Sequence, residues 1–329
     1  MLFFCLTHKL FVYLSMVKPR FDLEQHNDFG NLELLATQVV EGFITGLHKS
    51  PFHGFSVEFA EHRLYNKGNS VKNIDWKLYG RTEKLFVKRF EEETNLRCQL
   101  VLDVSSSMYY PENGMSKFAF SALASAAIIN LLKRQRDAFG LTLFSNEISL
   151  STPTKSTTAH QKFILDELSK NLNSPVNTQQ TNLASSLHRI ADKLPQRSFV
   201  VVFTDMLFSP GNHASVDEVF SALQHIKYNK NELIVFNVLE KQHEQEFNFA
   251  NRPHHFIDVE TGQNIKLNPS AYQEIYREKL QAFKETLAIK CAQSKINLVD
   301  ADLEDGFYPI LKAWLLARSR KETRIFVIL

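Results

Sequence analysis

The stretch Leu100-Val101-Leu102-Asp103-Val104-Ser105-Ser106-Ser107 decides the fold of this chain. Its apolar first part is typical of a strand, and the loop that follows carries a carboxylate and two hydroxyls at Asp103, Ser105 and Ser107. Side chains at alternate positions of such a loop can point at one spot, and oxygen donors of this kind suit Mg²⁺, Mn²⁺ or Ca²⁺. The stretch therefore predicts a strand, a metal-binding loop and then a helix, which begins near Lys117.

Two further oxygen donors follow later elements. Thr181 lies just before a predicted helix, and Asp205 follows the apolar run Val200-Val201-Val202-Phe203-Thr204. Ligands of doubly wound sheets bind beyond the carboxyl ends of the strands, where the strand order reverses, so we expect Asp103 and Asp205 to share one crevice that Thr181 reaches. Two neighbouring carboxylates repel each other, and a divalent cation removes that cost. The alternative is local turn and capping chemistry without an ion.

The rest of the chain from residue 96 alternates strand and helix patterns. Strands are predicted over 96–104, 139–144, 148–150, 198–204, 232–238 and 296–299, a hairpin over 256–267, and helices over 117–135, 160–172, 183–194, 216–226, 272–291 and 307–317. The apolar stripe of the helix over 272–291, which starts at Tyr272, is predicted to face the core. Such alternation predicts an α/β fold with a doubly wound, mostly parallel sheet and helices on both faces.

A small, partly β segment precedes this domain. Residues 31–48 form a helical pattern, Phe55, Val57 and Phe59 alternate with polar residues, and Tyr79-Gly80 suggests a turn. We therefore divide the chain into an N-terminal extension over 1–30, a segment over 31–95, the main domain over 96–320 and a tail over 321–329.

Composition narrows the function classes. The chain is 44% hydrophobic and 22% charged with a net charge of +2, which is typical of a globular protein and makes nucleic acid an unlikely partner. A basic run over 63–89 with interleaved aromatic residues leaves nucleic-acid binding open. We favour a partner-docking or interdomain contact, formed by Arg63, Asp75, Trp76, Lys77 and Arg81.

The cysteines and the N-terminus bear on the compartment. The three cysteines, Cys5, Cys98 and Cys291, are far apart and have no metal-ligand or disulfide pattern, so a cytoplasmic location is expected. The first residues are apolar but too short and interrupted to span a bilayer. We expect Met16 to be the true initiator and residues 1–15 to be a gene-model extension, with peripheral membrane association as the alternative.

These motifs resemble two known patterns. The Asp-x-Ser-x-Ser sequence, the later Thr181 and the Thr204-Asp205 pair are similar to the metal-ion-dependent adhesion site of von Willebrand factor A domains. The N-terminal segment resembles the signature of the "domain of unknown function 58" family. It does so through Gly54-Phe55-Ser56-Val57-Glu58-Phe59, Arg63-Leu64-Tyr65, Ile74-Asp75-Trp76-Lys77 and the run from Arg81 to Glu93.

The resemblance implies a sheet of von Willebrand factor A type, an association with MoxR-type AAA+ ATPases, and Asp103, Ser105, Ser107, Thr181 and Asp205 as the ligands of the ion. It also implies that an acidic side chain of a partner completes the coordination. We therefore predict a non-catalytic protein-interaction module that binds Mg²⁺, with Mn²⁺ or Ca²⁺ as alternatives. A metal-dependent hydrolase using the same crevice is the alternative function, although no Walker A loop or Gly-x-Ser-x-Gly elbow supports it.

Overall fold

The computed structural model describes residues 32–48, 62–64, 76–88, 96–173, 183–206, 216–258 and 264–327. The chain divides into two compact units. One comprises the parts up to Phe43 and from Leu96 onward, and the other is Ile44–Asn95. The terminal boundaries at 30 and 320 remain predictions.

The larger unit is built on a six-stranded sheet flanked by helices. Its strands are β3 (Arg97–Asp103), β4 (Ala138–Phe144), β5 (Ile148–Ser151), β6 (Phe199–Thr204), β7 (Glu232–Leu239) and β10 (Asn297–Asp302). Their order across the sheet is β10-β7-β6-β3-β4-β5, and every neighbouring pair is parallel except β4 with β5. The predicted α/β class and mostly parallel sheet are thus confirmed.

Helices cover both faces of this sheet. They are α3 (Lys117–Arg134), α4 (Thr158–Leu172), α5 (Leu183–Lys193), α6 (Val216–Tyr228), α7 (Gln273–Gln293) and α8 (Tyr308–Val327). A further helix, α1 (Leu32–His48), contacts α3 and α8 through Thr37 with Asn130 and Phe43 with Tyr308. Val200 and Val202 pack with α5 and α6 on one face. On the other face α3 contacts β3 and β4, and Phe120 stacks on Phe307 just before α8 at 4.7 Å between ring centroids.

Two small two-stranded sheets complete the described structure. Antiparallel β8 (His254–Ile257) and β9 (Asn264–Leu267) form one of them, close to the predicted hairpin. In the smaller unit, β1 (His62–Leu64) pairs with β2 (Phe86–Lys88), and helix α2 (Trp76–Thr82) lies between them in sequence. The strand predicted around Phe55, Val57 and Phe59 lies outside the described residues.

Two local predictions are wrong. The predicted turn at Tyr79-Gly80 is part of α2, and the residue that takes the left-handed backbone at its end is Glu83, with φ of 55° and an amide that bonds to the Tyr79 carbonyl. The stripe beginning at Tyr272 is only partly a core face, because Tyr272 is 52% exposed. Within α7 only Leu287 and Cys291 are buried. In its first half Tyr276 is half-buried, where its ring stacks on Phe247 and its hydroxyl donates to the Glu244 carbonyl at 2.7 Å.

Candidate metal centre

The sheet brings Asp103 and Asp205 to one edge. Asp103 is the last residue of β3, and Asp205 directly follows β6. These strands are parallel neighbours in which Leu102 lies opposite Phe203, so the two carboxylates leave the sheet side by side. Both are almost inaccessible, with Asp103 2% and Asp205 4% exposed.

The loop after β3 folds its hydroxyls toward Asp103. The Ser105 amide donates to Asp103 Oδ1 at 2.9 Å, and the hydroxyl oxygens of Ser105 and Ser107 lie 3.1 Å apart. A short 3₁₀ turn, Ser106–Tyr109, starts immediately after Ser105, which is why the alternate side chains come together. Three of the predicted oxygen donors therefore form one hydrogen-bonded group.

The surroundings of Asp103 compensate its negative charge only in part, and its pKa is raised. Burial, and then the nearby charge of Asp205, raise the pKa of Asp103 to about 7. Hydrogen bonds from Ser105 and from the Thr204 hydroxyl, which donates to Asp103 Oδ2 at 2.9 Å, act in the opposite direction without cancelling the rise. A cation near both carboxylates would favour their ionised forms.

Lys117, which our sequence analysis did not include in the site, contacts it directly. Its side chain is fully buried at the start of α3, and Nζ donates to Asp205 Oδ2 at 2.9 Å and to Glu244 Oε1 at 2.5 Å. Burial acts to lower the pKa of Lys117, but the charges of Asp205 and Glu244 outweigh it and the pKa is raised. A buried lysine of this kind is stable only because it is paired.

Glu244 reaches Lys117 from the single π-helical turn Lys241–Gln245, which follows β7. Its Oε2 accepts a hydrogen bond from the Glu240 amide at 2.8 Å, and its carbonyl accepts one from the Tyr276 hydroxyl at 2.7 Å. Burial raises the pKa of Glu244, against the opposing effect of Lys117. The site thus combines Asp103, Ser105, Ser107 and Asp205 with an ion pair between the fully buried Lys117 and the partly buried Glu244.

The feature that marks Lys117 is the complete burial of its helix in the folded chain. Sixteen consecutive residues of α3, from Lys117 to Leu132, are buried, so this helix has no solvent-facing side near its start. A lysine in a helix that is apolar on all sides needs a buried anion, which points to a polar site nearby. No comparable signal marks Glu244, because its turn is rich in exposed charged and polar residues.

Comparison with known proteins finds the same family that the N-terminal motifs resemble. Residues 61–286 match the family described as "Protein of unknown function DUF58". The chain belongs to this family. Uncharacterized proteins of Mycobacterium tuberculosis (strain ATCC 25618 / H37Rv) and Mycobacterium bovis are each 25% identical over 176 residues, which is 54% of this chain and 55% of each relative. The chain therefore spans about half the length of the curated relatives it matches.

Solved structures to which the chain is similar include BatB from Bacteroides thetaiotaomicron, described as a conserved hypothetical protein. It is 16% identical with a TM-score of 0.44, over 69% of this chain and 99% of that one. An aerotolerance-related membrane protein from Bacteroides fragilis is 13% identical with a TM-score of 0.40, over 64% and 93% respectively.

The remaining predicted residues of this DUF58 protein stay predictions. Thr181 and Asp75 lie outside the described residues, as do the side chains of Arg63 and Lys77. Trp76 and Arg81 lie on α2 in the smaller unit, where Trp76 is 61% exposed and meets Tyr79 edge-on at 6.1 Å between ring centroids. None of the helices within the described ranges has the length and apolar character needed to cross a membrane.

The donor atoms of the candidate site are all oxygens, the type that a hard divalent cation would need. Over the part of the chain that the structure describes, no group of three or more His, Cys, Asp or Glu side chains is arranged as a metal cluster. The candidate site has a different composition: the carboxylates of Asp103 and Asp205 at neighbouring strand ends, and the hydroxyls of Ser105 and Ser107 in the loop after Asp103. Oxygen-only donors of this type suit Mg²⁺ better than softer metals.

Proposed function

We propose that this DUF58 protein is a non-catalytic protein-interaction module that docks a partner through a metal-ion-dependent adhesion site. The observation that carries the proposal is the convergence of Asp103, Ser105, Ser107 and Asp205 at the carboxyl edge of two neighbouring buried strands. Two carboxylates in such a place raise the free energy of the folded chain unless a cation or a protonation compensates them.

The strand order supports assignment to the von Willebrand factor A type. Numbered within the larger sheet, the strands run 3-2-1-4-5-6, with only the third antiparallel. Asp103 and Asp205 follow strands 1 and 4, at the switch point where such sheets bind their ligands. The sequence resemblance places the adhesion site of these domains at the same pair of strand ends.

Within this proposal, Asp103, Ser105 and Ser107 would hold Mg²⁺ from the first loop, with Asp205 near it, and Thr181, two residues before α5 in sequence, would be a further ligand. A bound Mg²⁺ would provide an open coordination position that an acidic side chain of the partner fills. Both Asp103 and Asp205 are buried, so they bring negative charge to the ion without offering a surface of their own to a protein. The partner's carboxylate would therefore recognise the ion and not these side chains.

The partner that we propose is a MoxR-type AAA+ ATPase, which the family resemblance suggests, and the cytoplasm is the proposed compartment. Full-length chain immobilised on resin, incubated with native lysate in Mg²⁺, should retain such an ATPase. The ATPase should be lost when EDTA replaces Mg²⁺ and when Asp103→Ala replaces the wild type. The exposed residue Asp166 on α4 gives a matched control, because Asp166→Ala should retain the ATPase in Mg²⁺.

Retention of the same ATPase in EDTA, or by the Asp103→Ala variant, would show that docking does not use this site. If no MoxR-type protein is retained but another protein binds only with Mg²⁺ and only to chain with Asp103 intact, the ATPase is the wrong partner. Metal-dependent adhesion would then still be supported.

A further inference from the structure

We propose that Glu244 is a positioning residue of the candidate metal centre: by sharing the ammonium of Lys117, it leaves the negative charge of Asp205 effective toward a divalent ion. This inference rests on the proposed function, because it assigns Glu244 a role at the same site. Neither Lys117 nor Glu244 belongs to the adhesion motif in the sequence.

The geometry divides one positive charge between two carboxylates. Lys117 Nζ lies 2.9 Å from Asp205 Oδ2 and 2.5 Å from Glu244 Oε1, and its side chain has no contact with solvent. An ammonium without water must satisfy its hydrogen bonds from protein groups alone. If Glu244 carried no charge, Asp205 would be the carboxylate left to balance Lys117, and a metal ion would have to compete with a buried ammonium for it.

The charge balance of the group suits a divalent ion. When Asp103, Asp205 and Glu244 are ionised, Lys117 offsets one of the three negative charges and a surplus of two remains. A divalent cation matches that surplus. Neutralising Glu244 halves the surplus, so it should weaken the binding of the ion even though Glu244 is not a ligand.

The surrounding structure holds Glu244 in position before any ion binds. The Glu240 amide fixes Oε2, and the Tyr276 hydroxyl, from α7, fixes the Glu244 carbonyl. The next residue of the turn, Gln245, donates to Asp302 Oδ2 at 3.0 Å and accepts from Lys284 Nζ at 2.8 Å. Because α7 and β10 anchor the turn, Glu244 is already ordered and loses little conformational entropy when it pairs with Lys117.

The test measures binding of Mn²⁺ to the full chain by electron paramagnetic resonance. Glu244→Gln keeps the shape of the side chain and removes its charge, and we expect the Kd for Mn²⁺ to rise roughly ten-fold or more. Glu304→Gln is the matched control, since Glu304 pairs with Lys241 of the same turn at 3.8 Å and is half exposed. This control should leave the Kd unchanged.

A double variant separates positioning from mere structural support. Lys117→Met combined with Glu244→Gln removes the pair together, so Asp205 no longer faces an ammonium and the Kd should return to within about three-fold of the wild type. A purely structural role predicts the reverse, with the double variant as weak as Glu244→Gln or weaker. Because a buried pair can often be replaced by neutral groups, the double variant also keeps the test valid if Glu244→Gln folds poorly.

The outcomes distinguish this inference from the proposed function. If wild type binds Mn²⁺ no better than Asp103→Ala does, the metal centre itself is wrong and this inference falls with it. If wild type binds and Asp103→Ala does not, an unchanged Kd for Glu244→Gln overturns the role of Glu244 alone. An unrecovered Kd for the double variant, beside a weakened Glu244→Gln, also overturns it.

Discussion

Lys117 is a charged side chain enclosed completely by protein, and its contribution to stability can be measured. Lys117→Ala leaves Asp205 and Glu244 buried near each other without their shared cation, and should lower the free energy of unfolding by about 3–5 kcal/mol. Urea denaturation at neutral pH measures the change. Lys279→Ala, at an exposed position of α7, should change it by less than about 0.5 kcal/mol. A loss as small for Lys117→Ala as for Lys279→Ala would contradict the buried ion pair.

At the scale of single residues, the sequence predicts what is close along the chain and misses what folding brings from afar. Asp103, Ser105 and Ser107 lie within five positions of one another, so their spacing alone indicated a common direction. Lys117 and Glu244 are 127 positions apart, and a lysine near a helix start is usually a surface residue. Only the complete burial of α3 marks Lys117 as unusual, and burial is a property of the folded chain.

The pairing of β3 with β4 depends on the absence of a side chain at Gly140. Gln99, opposite Gly140 in the parallel register, donates from Nε2 to the Thr142 hydroxyl at 2.9 Å. A Cβ at Gly140 would lie 2.5 Å from Gln99 Oε1 and 3.0 Å from the Thr152 carbonyl oxygen. Gly140→Ala should therefore destabilise the protein by about 1–3 kcal/mol, measured as a lower urea midpoint with an unchanged slope.

Gly42 on α1 is the control for Gly140, because the same substitution there is expected to change the stability in the opposite direction. A Cβ added there meets no atom within 4 Å, and the position is helical. Gly42→Ala should therefore stabilise the protein by about 0.5–1 kcal/mol, because alanine loses less conformational freedom in a helix. Equal effects at the two glycines would mean that the close approach at Gly140 is relieved in solution.

At the scale of elements, periodicity predicts those strands and helices whose pattern is set by burial. The all-apolar run of β6 indicated a strand covered on both faces, and the structure has it in the middle of the sheet. The pattern fails in α2, where Tyr79-Gly80 predicts a turn although a short helix tolerates the glycine. It fails again in the first half of α7, where spaced apolar residues lie on a helix that is mostly solvated.

At the scale of the whole molecule, the sequence predicts a doubly wound, mostly parallel sheet. Which strands are neighbours in it follows only from the strand order that is common in such sheets. The sequence around Asp103 or Asp205 does not predict that β3 and β6 are adjacent, because β4 and β5 lie between them in the chain. The parallel crossovers that join them follow general rules of connection handedness and of strand order. Those rules predict which carboxylates meet, but not which other charged groups approach from loops such as the turn after β7.

Binding of Mg²⁺ at the proposed centre should stabilise the chain as a whole, because an ion held by side chains from separate parts of the sequence binds only the folded state. At about one hundred times its Kd, a ligand adds about 2.7 kcal/mol to the free energy of unfolding. For a chain of this size that corresponds to a rise of roughly 4 °C in the thermal midpoint, measured by scanning fluorimetry with and without Mg²⁺.

The variants decide whether that rise originates at the proposed site. Asp103→Ala removes a carboxylate that belongs to both the first loop and the pairing with Thr204, so the rise should vanish. Asp166→Ala, at an exposed position, should keep it. Asp103→Ala also removes the buried charge whose burial, and then repulsion by Asp205, raise the pKa of Asp103, so its midpoint in EDTA is expected to match or exceed that of the wild type at pH 8. A rise of equal size in both variants would place the Mg²⁺ elsewhere on the molecule.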